Sequence, residues 1–384
     1  MGDMPGINGP HQKLNRLIGY IDLDPLNLNL LADASSAAID AGDPEKALEF
    51  VARYEALSQL PDALVNIKGL AALQQGRLED AASILRDLLT LTPADPSLRF
   101  NLAWTESMSG NDAAVGDLVD METARTVPGA ALLKVESLHR LGELEQALSD
   151  GTLLADAHPQ DAQLMGALSL VALDLELPDI ARNFAKKSQG TAEGLSAMGV
   201  LVMQENRIED ALALFDQGLS IKPDSARNLL GKGLALMANG DAAGAVTYID
   251  ESAEIFTDHL GTWIAAGWAH FAAGDIVRAR EVFERALALD DTFAESHGAL
   301  AVLDILDGNL IRARQLAETA LRLDRACLAG ALAQTLLLDK AGDHQSAQRI
   351  RDIALNTPLA SGRTIAQAMI DLAPKLRLGP KREP

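Results

Sequence analysis

A short glycine-centred turn recurs along this chain at a nearly constant interval, and that interval constrains the fold more than any other feature. It reads AGDPEKAL around Gly42, QGRLEDAA around Gly76, LGELEQAL around Gly142 and NGDAAGAV around Gly240. It returns as AGDIVRAR around Gly274, DGNLIRAR around Gly308 and AGDHQSAQ around Gly342. Gly110 opens a degenerate copy, SGNDAAVG, and in two further copies Glu176 and Asn206 replace the glycine. The ten positions are separated by 34, 34, 32, 34, 30, 34, 34, 34 and 34 residues. Seven identical intervals out of nine exclude coincidence and imply one supersecondary unit repeated in tandem.

Local chemistry says what the unit is. Helical patterning flanks each turn, so a unit reads as helix A, a tight turn and helix B. Glycine supplies the left-handed residue that ends helix A, and the Asp or Asn that often follows caps helix B. Gly69, Gly199, Gly233 and Gly267 in helix A, with Ala81, Ala211, Ala245 and Ala279 in helix B, predict that the two helices approach closely. Pro93, Pro159 and Pro223 stand between units and stop helix B. Residues 11–23, with Leu14, Leu17, Ile18 and Ile21, read as an orphan helix B that caps the first repeat. Thr364 to Leu372 reads as a closing helix, followed from Pro374 by a basic tail with Lys375, Arg377, Lys381 and Arg382. The expected boundaries are 1–26 for the N-terminal segment with its capping helix, 27–360 for ten repeats, and 361–384 for the C-terminal capping helix and tail. The irregular intervals between 110 and 206, where Pro178 starts a helix B in place of the usual turn, predict a change of superhelical pitch or a softer hinge.

A single core of 384 residues would be large, but a repeat array escapes that limit because each unit packs only on its neighbours. Hydrophobic residues make up 48% and aromatics only 4%, so Ala and Leu must supply most of the packing, and both favour helix. The net charge of -21 repels phosphate backbones and anionic bilayers, which argues against nucleic-acid and membrane-surface partners and would steer basic ones in. One cysteine, Cys327, allows no intrachain disulfide, which fits a reducing compartment. The N-terminus has neither a basic nor an apolar leader region, and no stretch of about 20 apolar residues occurs. These features predict a cytoplasmic protein without membrane insertion.

A 34-residue period with helices on both sides of a glycine turn resembles the tetratricopeptide-repeat family. In the copy from Leu260 to Asp291, Trp263, Ala266, Gly267, Ala279, Phe283 and Ala286 fall where that family places Trp, Leu, Gly, Ala, Phe and Ala. His270 takes the family's Tyr position and Asp291 its closing Pro position. A second copy carries Gly199, Ala211, Phe215 and Pro223, with Leu195 at the Trp position. The unit around Gly110 keeps little beyond its period and has Val115 at the small-residue position. The resemblance spans about residues 27–360 and implies an all-α fold, a right-handed α-solenoid superhelix of tandem helix-turn-helix repeats. It implies a non-enzymatic protein–protein interaction scaffold or adaptor without a cofactor.

Nothing in the sequence points to catalysis. Of the seven histidines none forms a metalloprotease motif or pairs with cysteine at zinc spacing, and His270 and Cys327 read as packing residues. Phosphate-binding and nucleophile-elbow motifs are missing, and paired acids such as Glu79-Asp80 and Glu209-Asp210 read as caps and solvated faces. In the family resembled, residues 13, 10, 6, 3 and 2 positions before the turn glycine face the concave surface. Carried over, that register selects Phe100, Trp104, Met108, Met203, Leu230, Leu234, Met237, Ile264, Trp268, Phe271, Val302 and Ile305 as a partner-binding groove. The Lys/Asn set with which chaperone-binding relatives clamp a carboxylate is absent, since Lys68 and Lys232 fall one turn away. A groove this apolar suits an apolar or amphipathic protein segment, and against the acidic exterior a basic one. Three readings remain open for these residues: repeat core, partner site, or a surface covered by a second copy or by the chain's own tail. Two further functions stay beside the scaffold: an accessory factor for envelope, secretion or polysaccharide assembly, and a self-associating homo-oligomer.

Overall fold

The computed structural model describes residues 9–355, and among them every regular element is an α-helix. The chain divides into two compact units, Met1–Val171 and Ala172–Pro384. The expected closing helix and basic tail lie outside the described residues.

The first unit begins with α1 (Pro10–Leu23), which buries Leu14 and Ile21 and packs on α2 (Leu28–Asp40). After α3 (Pro44–Glu55) come α4 (Asp62–Gln74) and α5 (Leu78–Leu91), then α6 (Pro96–Met108). The helix B that follows is broken into α7 (Asp112–Leu118) and α8 (Met121–Thr126). α9 (Ala130–Arg140) and α10 (Leu144–Ala157) complete the next repeat, and the unit boundary falls inside α11 (Ala162–Asp174). The second unit continues with α12 (Pro178–Lys187), α13 (Ala192–Gln204), α14 (Ile208–Ile221), α15 (Ala226–Ala238) and α16 (Ala242–Ile255). α17 (Leu260–Ala272), α18 (Ile276–Leu289), α19 (Ala294–Leu306), α20 (Leu310–Leu323), α21 (Leu328–Lys340) and α22 (His344–Leu355) follow. In each unit successive helices pack as antiparallel pairs, the arrangement of a tetratricopeptide α-solenoid.

All ten turn positions have positive φ, including Glu176 at 57° and Asn206 at 62°. The turns share one hydrogen-bond scheme. At Gly76, for instance, the Gly76 amide donates to the Leu73 carbonyl and the Arg77 amide to the Ala72 carbonyl, which closes the free carbonyls of helix A. Glu176 and Leu177 repeat that scheme on Leu173 and Ala172. The usual turn is therefore present before Pro178, which occupies the first turn of α12, and the expectation that proline replaces it is corrected.

The small residues of helix A seat a bulky residue of helix B. A Cβ on Gly199 would stand 2.5 Å from the Phe215 ring, and one on Gly233 2.3 Å from Ile249. On Gly267 it would stand 2.2 Å from Phe283, and on Gly69 2.9 Å from Leu85. Those four side chains are buried with Ala81, Ala211, Ala245 and Ala279 around them. The core of each unit is thus a series of small-on-large contacts passed from repeat to repeat.

The two short intervals arise in different helices: in the 32-residue interval helix A is short, α9 having 11 residues where α4, α6, α13 and α15 have 13, and in the 30-residue interval helix B is short. α12 has 10 residues where α5, α10, α14, α16, α18 and α20 each have 14. In the 32-residue interval the break after α7 frees carbonyls, which basic side chains recover. Arg99 Nε donates to the Leu118 carbonyl (2.8 Å) and an Arg99 terminal nitrogen to that of Asp117 (3.0 Å). Buried Lys134 donates to the Val119 carbonyl (3.1 Å).

Candidate partner-binding groove

α17, α19 and α21 are the A helices of three successive repeats in the second unit, and an open cavity of about 450 Å³ lies between them. Its walls are Ile264 and Trp268 from α17, Phe293 and Glu295 at the start of α19, and Leu328 and Leu332 from α21, with Gly261 and Ala329 between. Ile264 is buried and forms the floor, while Trp268 and Phe293 are half-buried. Trp268 is held edge-on by Phe271 (5.5 Å between ring centroids) and Phe283 (5.3 Å), so its orientation is set by the core. Leu328 and Leu332 are 47% and 43% exposed, a high fraction for leucines that share one wall.

Two polar features hold the walls in place. Glu295 reaches from α19 to accept hydrogen bonds from the Leu328 amide (2.8 Å) and the Ala329 amide (3.3 Å). It thereby caps the neighbouring repeat's helix, whose first amides would otherwise lack partners. Cys327, buried and free, accepts from the Gly330 amide at 3.2 Å. Burial pushes its thiol up to about 12, so it packs and caps as a neutral group. Between these helices Gly298 removes the last obstacle, because a Cβ there would lie 2.4 Å from the Gly330 nitrogen.

The predicted groove residues separate into several environments. Ile264 and Trp268 line the cavity. Leu230, Leu234, Met237 and Phe271 are half-buried and pack against the same core, and Met203 packs with Val202, Ile208, Phe215 and Ala235. Val302 and Ile305 are core residues, enclosed by Ala313 and Ala317 of α20 and Ala333 and Leu337 of α21. The family register places them on an open face, but α20 and α21 cover that part of α19. Phe100, Trp104 and Met108 lie in the first unit on α6. There Trp104 and Met108 are exposed, the Trp104 indole donates to the Met108 sulfur (3.2 Å), and Phe100 stacks edge-on against Trp104 at 5.8 Å.

Phe293, Leu328 and Leu332 are missing from the sequence-derived set. Extending the same register one repeat, to Gly342, selects Ala329 and Leu332, whereas Phe293 and Leu328 stand at helix starts where the register carries no signal. Lys68 and Lys232 are engaged in packing: Lys68 bridges Glu55 (2.9 Å), and Lys232 bridges Asp216 (2.6 Å) over the Tyr248 ring. Among the described residues no group of three or more His, Cys, Asp or Glu side chains is arranged to hold a metal ion. No helix there is long and apolar enough to cross a membrane.

Turns, small-on-large packing and a groove lined by A helices define a tetratricopeptide-repeat protein, and comparison with known families agrees. Residues 23–96 and 197–259 match one tetratricopeptide-repeat family model, and residues 260–285 match a second. Those residues are tetratricopeptide repeats. No curated protein matches its sequence. Among solved structures it is similar to Cut9 in the Cut9–Hcn1 hetero-tetramer of the APC/C. There the identity is 14%, the TM-score 0.57, and the match covers 80% of this chain and 62% of the other, so it spans less than two thirds of that protein. It is also similar to human IFIT1, solved as a dimer with PPP-AAAA, at 13% identity and a TM-score of 0.54, over 91% of this chain and 94% of the other. At such identities the likeness is one of fold. Repeats of this family serve protein–protein interaction, and a scaffold of that kind is the class of function the fold supports.

Proposed function

We propose that this chain is a non-enzymatic scaffold or adaptor whose second unit receives an apolar or amphipathic protein segment over Ile264, Trp268, Leu328 and Leu332. One observation carries the reading: Leu328 and Leu332 stand substantially exposed beside an oriented tryptophan in an open cavity of about 450 Å³. Exposed apolar walls of this kind gain from burial by a partner, at about 25 cal/mol per Å² covered. A cytoplasmic setting belongs to the same reading and is supported by the single, buried cysteine.

The test is site-specific crosslinking. A photoreactive residue at position 332 of the full chain is expected to capture one protein from the source cell, through one segment of it. Capture at position 332 is expected to be lost when Leu328→Glu is added to the same chain, with helix content and oligomeric state unchanged. Capture that persists in that folded variant would place the partner surface elsewhere and refute the proposal.

A further inference from the structure

The groove has a charged edge that its apolar lining does not explain. The three segments that lead into the lining helices are 256–261, 290–295 and 324–329. They carry Asp258, Asp290, Asp291, Glu295 and Asp324 against one cation, Arg325. Asp258, Asp291 and Asp324 are exposed, and Asp290 is half-buried. Three of these acids serve helix starts: Glu295 caps α21, Asp290 accepts from Thr292, and Asp324 accepts from the Ala326 amide. Opposing them are the N-termini of α17, α19 and α21, each worth roughly half a positive charge and acting only over the first turn. Five carboxylates against one guanidinium outweigh that, so the edge is negative where the wall is apolar.

Resting on the groove reading above, we infer that the segment it receives is cationic and amphipathic. One bulky apolar side chain enters between Trp268, Phe293, Leu328 and Leu332, and Lys or Arg residues lie along Asp258, Asp291 and Asp324. Charge complementarity at the rim selects the partner and speeds encounter, and the apolar wall holds it. An acidic segment of the same shape would bring its carboxylates against these aspartates.

The experiment titrates three synthetic 16-residue peptides into the full chain. The first carries leucines at helical spacing with one tryptophan and lysines elsewhere. The second replaces its lysines with glutamates, and the third keeps the lysines but replaces the apolar residues with glutamine. Two variants accompany wild type: Leu328→Ala/Leu332→Ala, and Asp258→Asn/Asp291→Asn/Asp324→Asn, in which asparagine keeps the capping oxygen of Asp324. Both alter exposed side chains, and circular dichroism checks that they fold. The lysine peptide is expected to bind, with the glutamate peptide weaker by on the order of tenfold or more. The triple variant is expected to weaken the lysine peptide by on the order of tenfold and flatten its salt dependence, and the leucine variant to weaken both apolar peptides.

If the lysine and glutamate peptides bind alike, lose binding in the leucine variant and ignore the triple variant, the groove reading stands and the cationic inference fails. If the glutamate peptide binds better, the helix N-termini dominate and the inference is reversed. If the lysine peptide binds the leucine variant as well as wild type, and the glutamine-substituted peptide binds equally, attraction is to the acidic surface at large and both readings fail. If no peptide binds wild type but the lysine peptide binds a chain ending at Pro374, the occupant is the chain's own basic segment rather than a partner. If none binds either chain, both readings are overturned.

Discussion

Placing a methyl group at Gly298 tests how the groove is built. Helix propensity alone says that Gly298→Ala, in the interior of α19, stabilises by about 1 kcal/mol. Packing says the opposite. The new Cβ would lie 2.4 Å from the Gly330 nitrogen, 2.6 Å from the Ala329 carbonyl carbon and 2.8 Å from the Ala329 Cβ. Two of those atoms are backbone, so no rotamer change relieves the overlap, and α19 and α21 must separate by about 1 Å. Overpacking of that kind costs typically 1–3 kcal/mol, about 2 kcal/mol at the centre of the range, and separation also lengthens the Glu295 bonds to the Leu328 and Ala329 amides. The expected net result is a loss of about 1 kcal/mol.

Gly19→Ala provides the matched control, because Gly19 lies inside α1 with nothing within 4 Å of its missing Cβ. That substitution should stabilise by up to about 1 kcal/mol. Urea denaturation followed by circular dichroism gives the sign for each variant. Hydrogen exchange gives the location, because an array of repeats opens locally and the loss should concentrate in α21 and α22. If Gly298→Ala is as stable as wild type or more so while Gly19→Ala behaves as expected, the close approach of α19 and α21 is not what seals this part of the core.

Three further outcomes follow from named contacts. Glu176 and Asn206 hold left-handed conformations that side chains disfavour by roughly 1–2 kcal/mol, so Glu176→Gly should raise the thermal midpoint and Asn206→Gly should raise it less, since asparagine tolerates that region. Arg140 donates to both oxygens of Asp112 at 2.7 Å, which holds that carboxyl below the usual carboxylate range against the burial that raises it. With the folded value depressed, the stabilisation is fully present above the unfolded pKa near 4 and disappears as pH falls through the folded one. Arg140→Met should therefore destabilise by about 1–3 kcal/mol at neutral pH, with the gap from wild type narrowing in urea titrations as pH is lowered below about 4. Asp304 is fully buried, 2.9 Å from Arg280 and 3.4 Å from Arg312, yet neither of its oxygens has hydrogen-bond geometry to a described group. Arg280→Met should destabilise in thermal or urea melts by less than the roughly 3–5 kcal/mol of an unpaired buried carboxylate, because Arg312 remains 3.4 Å away, and adding Asp304→Leu should return most of the loss.

What the sequence made legible tracks how local each cause is. A left-handed turn is decided by a few adjacent residues, so the period located all ten, even where Glu176 and Asn206 had displaced the glycine. Close approach of helices A and B lies within one repeat and was legible from Gly267 and Ala279, whereas the filling of the space at Gly267 by Phe283 was not. The break between α7 and α8 was not legible, because what sustains it comes from elsewhere: Arg99 precedes it on α6 and Lys134 follows it on α9. The groove shows the same gradient. Trp268 and Ile264 could be placed from their register within one helix, but whether a register position is open depends on the next helix. Val302 and Ile305 are buried by Ala313 and Ala317 of α20 together with Ala333 and Leu337 of α21. Leu328 and Leu332 on α21 remain exposed beside Trp268 and Phe293. Which apolar residues of these helices are core and which stay exposed is thus decided by contacts with neighbouring helices, and no pattern within either helix alone encodes that division.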